Sequence, residues 1–174
     1  HDGRATRRWV PFERLAEETA IDPIQLKRII DRFRDDDCSF LVPSPSVMPS
    51  LEPSARIDVG HEALLRHWER VSGVPGATGE RGDARPIGWL REEHIAGQRY
   101  QVLRAMAAAD SDEAPVLSSE QFGRYWPWWS ERPRTAAWAE RYGGGHDKVE
   151  RLLNESRKAF VKAGRREKAA ELTR

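Results

Sequence analysis

A single cysteine, Cys38, is all the thiol chemistry in this chain, so no internal disulfide forms and a disulfide-stapled secreted scaffold is excluded. Cys38 adjoins the apolar run Phe40, Leu41, Val42 and has no His or Cys partner nearby in sequence, so it reads as a small packed hydrophobe. No stretch is apolar over the length of a membrane span, and no basic n-region, apolar core and cleavage site open the chain. An excess of one charge is lacking as well. Lys and Arg number 29 against 28 Asp and Glu, a formal net charge of +1, without the basic field of a nonspecific nucleic-acid binder. The glycine-rich stretches 73–82 and 143–145 lack the lysine and hydroxyl residue of a phosphate-binding loop, so they read as linkers. No nucleophile elbow is present, and His67 follows His61 at the wrong spacing for a zinc-protease helix. Neither catalysis nor a metal site is expected, and no internal repeat is evident.

What is present is a series of short helical patterns. Hydrophobic residues at 39% suffice for a core, while charged residues at 33% and seven tryptophans favour several small helical units over one thick sheet. The expected fold class is mainly α. Pro11 suits a first helical turn, with Phe12, Leu15 and Ala16 on the apolar side and Thr19 and Ala20 in the turn that follows. Asp22 reads as the N-cap of a second helix over 22–34, with Pro23 in its first position and Leu26, Ile29, Ile30 and Phe33 on one face. Asp35, Asp36 and Asp37 oppose the helix dipole and stop it there. Two β-prone pieces, 39–42 and 56–59, flank a segment rich in proline and serine, 43–54, which is expected to be mobile. Strand, loop and strand after a helix pair read as the wing of a winged helix. A third helix over 62–72 would place Leu64, Leu65, Trp68 and Val71 on its apolar face.

Residues 73–85 carry four glycines and no apolar periodicity. They read as a flexible linker or insertion between a winged-helix domain, 1–72, and an α-helical domain with a C-terminal helix, 86–174. Pro86 opens a long amphipathic helix to residue 109 with Leu90, His94, Leu103 and Met106 inward, and 110–114 break it. Ser118 and Gln121 form a capping box for the next helix, which Pro127 is expected to kink or end. A helix over 135–142, a glycine stop at 143–145 and a last helix from 147 complete the pattern. The core of this part is expected to include Trp89, Leu103, Trp128, Trp138 and Leu152.

The most informative stretch is 57–68, IDVGHEALLRHW, followed by 88–93, GWLREE. A β-prone run ends at Gly60 and a helix opens at once with His61 and Glu62, so an imidazole stands where helix amides favour an anion. Arg66 lies one turn beyond Glu62 and can pair with it. The segments DGRATRR at 2–8, WWSERP at 128–133, WAERYG at 138–143 and LLNES at 152–156 follow in a definite order. In that order these motifs resemble the winged-helix region that follows the nucleotide-binding core of bacterial STAND-class NTPases, and the resemblance covers most of the chain.

The resemblance implies a regulatory, non-catalytic, cytoplasmic portion of a longer protein, entered here in mid-motif. Its partners would be an upstream ATPase domain and a downstream repeat sensor of the same chain, with homo-oligomerisation on activation and no membrane or nucleic-acid partner. No cofactor belongs to the fragment itself; ADP and ATP belong to the parent protein. His61 falls at the position of the histidine in the family's methionine–histidine–aspartate motif, which contacts the β-phosphate of ADP and holds the closed state. Here the triplet is Gly60-His61-Glu62, so the role is carried to His61 and not to Glu62, with Arg66 as a second nucleotide-sensing candidate. The plainer reading is that His61 caps or packs and Glu62 simply favours the helix start.

Other readings compete for particular residues. Trp126, Trp128, Trp129 and Trp138 could form a stacking platform, but acidic and basic side chains alternate around them, and core packing is the stronger reading. His94 and His146 read as solvated or packed. A DNA-binding regulator would place the 22–34 helix in the major groove through Lys27, Arg28, Arg32 and Arg34, against which Asp31 and Asp35 to Asp37 stand. A helical protein-interaction scaffold is the third alternative.

Overall fold

The computed structural model describes residues 8–78, 84–108 and 115–171. Among them the chain is mainly helical, with a small antiparallel sheet. The order begins β1 (Val10–Pro11), α1 (Phe12–Thr19), α2 (Pro23–Arg34), β2 (Leu41–Val42), β3 (Arg56–Val59). It continues α3 (Ala63–His67), α4 (Glu69–Ser72), α5 (Trp89–Ala107), α6 (Ser119–Ser130), α7 (Ala136–Glu140), α8 (His146–Glu171). Two compact units divide it, His1–Gly97 and Gln98–Arg174.

In the first unit β3 is the central strand, with Val10 opposite Ile57 on one side and Leu41 opposite Val59 on the other. β1 escapes a sequence reading because it is two residues long and one is proline, tolerable only at a sheet edge. Among the described residues no side chain caps α1. Instead its first amides, of Phe12 and Glu13, donate to the carbonyls of Ala55 and Pro53, each at 2.9 Å. Asp22 caps α2 as expected, its Oδ1 accepting from the amides of Ile24 at 3.0 Å and Gln25 at 3.2 Å, with Pro23 in the first turn. Phe12, Leu26, Ile30, Leu51, Ala55 and Ile57 form the core, and Leu15, Ala16, Ile21, Leu41 and Met48 pack on it. Ile29 departs from the expected face and is 47% exposed.

Loop 43–54 is tied down, contrary to the mobility its composition suggests. Arg34, only 1% exposed, sends Nη1 to the carbonyls of Met48 at 2.6 Å and Pro43 at 3.1 Å, Nη2 to that of Pro49 at 3.3 Å, and Nε to Asp31 at 2.7 Å. A proline-rich loop cannot pair its carbonyls in a ladder, and a guanidinium fork supplies the missing donors. Leu51 is buried within the same loop.

The helix expected over 62–72 is broken at Trp68, which takes an extended conformation between α3 and α4 (φ −83°, ψ 103°). The break sets the Trp68 indole between Phe40, 5.4 Å away, and Trp89, 5.5 Å away, and Phe33 extends the row at 6.4 Å from Phe40. Ring packing here outweighs one turn of helix continuity. The same placement leaves Trp89 about half-exposed on the outside of that row instead of in a core.

In the second unit Tyr100, Leu103, Trp128, Trp138, Ala139, Val149, Leu152 and Leu153 are buried. Leu103, Trp128, Trp138 and Leu152 are thus core as expected, whereas Leu90 and His94 of α5 are exposed. Ser118 and Gln121 form the reciprocal capping box of α6. α6 does not end at Pro127 but continues to Ser130. The carbonyl that Pro127 leaves without its amide is that of exposed Gly123, which can turn to solvent. Ser156 fixes the approach to α6, accepting the Leu117 amide at 2.9 Å while donating to the Leu152 carbonyl at 2.6 Å. Thr135 caps α7, and Gly143, Gly144 and Gly145, all with positive φ, stop the chain before α8.

Candidate functional site

The segment 57–68 begins where β3 runs out. The Gly60 amide donates to the Phe40 carbonyl at 2.7 Å, and a β-carbon at Gly60 would collide with the Ser39 carbonyl, so glycine is required there. That close pairing ends the sheet and directs His61 outward. His61 is exposed, and its Nδ1 accepts the Ala63 amide at 3.1 Å. In the neutral ring this bond places the proton on Nε2, making that nitrogen a donor. The anion-attracting dipole expected from a helix over 62–72 is curtailed, because α3 spans five residues only.

Arg66 is not brought into contact with His61. Its Nη2 donates to Glu62 Oε1 at 2.5 Å, with side chains 66% and 56% exposed, a surface pair worth about 0.3–0.5 kcal/mol. Leu64, Leu65 and Trp68, the expected apolar face, are half-buried. Arg66 and His67 line a cavity with Arg91 of the 88–93 motif, a grouping that spacing along the chain does not reveal because a loop separates them.

His94 and His146 have no part in this segment. His94 is exposed, while His146 holds Nε2 at 2.6 Å from the Arg134 carbonyl and lies 5.6 Å from the Trp129 ring. Within the tryptophan cluster Trp128 and Trp138 are buried and Trp126 and Trp129 half-buried: the Arg134 guanidinium sits 3.9 Å from the Trp128 ring and 5.4 Å from Trp138, and Tyr100 meets Trp138 edge-on at 5.3 Å. Of the basic side chains a DNA-reading α2 would use, Arg34 is buried and Lys27 bonds Asp31 at 2.8 Å. Cys38 is half-buried. Among the described residues no group of three or more His, Cys, Asp or Glu could hold a metal, and no helix is long and apolar enough to cross a membrane.

No protein-family model matches the chain, and neither a curated protein nor a solved structure matches it.

Proposed function

We propose that this chain is the regulatory, non-catalytic portion of a STAND-type ATPase switch, a winged-helix domain followed by a helical domain. In this reading His61 contacts ADP held by the upstream ATPase domain, and the downstream part links to a repeat sensor. One observation carries it: His61 is exposed, with Nδ1 engaged by the Ala63 amide, so Nε2 is the donor available to an outside phosphate oxygen. The helix pair α1 and α2, followed by β2, a loop and β3 with β3 paired on both sides, supports the winged-helix assignment. The switch is a population shift. Contacts made only with ADP bound favour the closed form, and nucleotide exchange or sensor engagement releases it toward homo-oligomers.

The test is His61→Ala in the full-length protein, with ADP dissociation and oligomeric state as readouts. Loss of a charge-assisted hydrogen bond of about 1.5–3 kcal/mol should speed ADP release by roughly one to two decades and raise spontaneous oligomerisation. ADP release at the unaltered rate would refute the sensing role.

A further inference from the structure

A cavity of about 490 Å3 opens in the first unit, lined by Arg66 and His67 of α3, Glu69 and Ser72 of α4, Gly76 of the following loop and Arg91 of α5. Its size falls within the roughly 300–1,000 Å3 of small-molecule sites. Among the described residues each guanidinium is steadied by one bond: Arg66 Nη2 to Glu62 at 2.5 Å, and Arg91 Nη1 to the carbonyl of buried Ala77 at 3.0 Å. A guanidinium has five N–H donors in a rigid fork, so each retains donors suited to a second, oxygen-rich acceptor. Arg85 adds positive charge to the same loop, donating Nη2 to the Gly76 carbonyl at 3.0 Å.

The walls are held in place before any ligand arrives. The Val74 amide donates to the Pro86 carbonyl at 2.9 Å, and Gly73 and Gly88, both at positive φ, approach backbone to backbone with no room for a side chain. Such a closed loop keeps Arg91 beside α3 and α4 and lowers the ordering cost of binding. Glu62 and Glu69 offset part of the positive charge, so the site favours an acceptor that engages both forks over a diffuse anion.

We propose that this cavity binds a phosphate-bearing small molecule, its phosphate bridging Arg66 and Arg91 and the hydroxyl groups of its body meeting Ser72 and Glu69. The site is distinct from His61, which does not line it. Inorganic phosphate offers the same anion without the hydroxylated body.

The 174-residue chain is titrated calorimetrically with a ribose phosphate and with inorganic phosphate, and its amides are followed by heteronuclear NMR. Saturable binding of the ribose phosphate, tighter than inorganic phosphate, with shifts at Ser72, Gly73 and Gly76, is expected. Arg66→Ala, at a side chain 66% exposed and therefore harmless to folding, should weaken binding by about tenfold, and Arg91→Lys, which keeps the charge but loses the fork, by a similar factor. His61→Ala should leave the affinity unchanged, which keeps this result separate from that of the ADP-release experiment. Absence of saturable binding, or equal binding by Arg66→Ala, overturns the site. Equal affinity for the two probes overturns the role given to Ser72 and Glu69.

Discussion

Gly73 and Gly88 cross so closely that a β-carbon on Gly73 would strike the Ile87 carbonyl and one on Gly88 would strike the Gly73 amide nitrogen. Their φ angles, +83° and +85°, are ones that L side chains rarely adopt. Gly88→Ala should therefore destabilise the chain by about 1–3 kcal/mol from backbone strain alone, with the collision adding to it. Gly123→Ala is the contrast, because a β-carbon there meets nothing within 4 Å and the site is helical; it should gain about 0.5–1 kcal/mol. Urea unfolding midpoints measure both. Equal midpoints for Gly88→Ala and the unaltered chain would mean that the crossing does not persist in solution.

Arg34 is the donor that organises loop 43–54, and its removal should be felt there first. Arg34→Ala leaves the carbonyls of Pro43, Met48 and Pro49 without this partner and the half-buried Asp31 without its closer cation, a loss of about 1–3 kcal/mol for the unmet acceptors. Limited proteolysis should move to 43–54 in the variant while the unaltered loop resists. Arg34→Lys should not restore resistance, since an ammonium cannot reach three carbonyls in a fork. The pair also carries an acid signature. Burial pushes the Asp31 carboxyl up, but hydrogen bonds and charge from Lys27 and Arg34 outweigh it and hold its pKa below the ordinary value. Its stabilisation is present above about pH 4 and is lost as pH falls through the lower folded value, so Asp31→Asn should flatten that part of the acid unfolding curve.

Local signals in the sequence are legible where one residue decides the geometry. Asp22 with Pro23, Ser118 with Gln121, and the glycine triplet at 143–145 mark helix ends in the structure as they do in the sequence. What escaped depends on partners distant in sequence. Arg34 belongs to a helix whose basic residues suggest a DNA-facing surface, and only the fold shows that its carbonyl partners lie 9 to 15 residues on. Trp68 fits a helical period, yet contacts with Phe40 and Trp89 break the helix at that residue. Of the two sensing candidates, His61 was marked by its motif, whereas the association of Arg66 with His67 and Arg91 requires the loop closure made by Gly73 and Gly88.

Tyr100 predicts an alkaline limit. It is fully buried among Trp129, Trp138 and Tyr142, and its hydroxyl donates to the Gly144 carbonyl at 2.9 Å. Burial raises its pKa, with Arg104 opposing and Asp147 adding to the rise. The neutral phenol is thus favoured in the fold, and its contribution is full below the unfolded value of about 10 and is lost as pH rises through the folded one. Tyr100→Phe should lower stability at neutral pH by about 0.5–1.5 kcal/mol, for the lost hydrogen bond, and reduce the decline above pH 10. A decline of unchanged steepness in Tyr100→Phe would assign it to another group.

The proposed outside contact of His61 is separable from packing by comparison with a buried residue. The imidazole is exposed and its bond within the chain is to the Ala63 amide, at the start of a five-residue helix without buried residues. His61→Ala removes a cap-like bond worth about 0.5–2 kcal/mol at most, and the short helix should place the loss at the low end. Leu65, on the same helix, is half-buried and is a poor core control. Leu153, fully buried in α8, is the better one, and Leu153→Ala should cost about 2–5 kcal/mol. The two substitutions should therefore separate in opposite ways: thermal unfolding of the chain shifts strongly for Leu153→Ala and little for His61→Ala, while ADP release from the full-length protein changes for His61→Ala. A loss of stability in His61→Ala equal to that in Leu153→Ala, with ADP release unaltered, would make His61 a structural histidine.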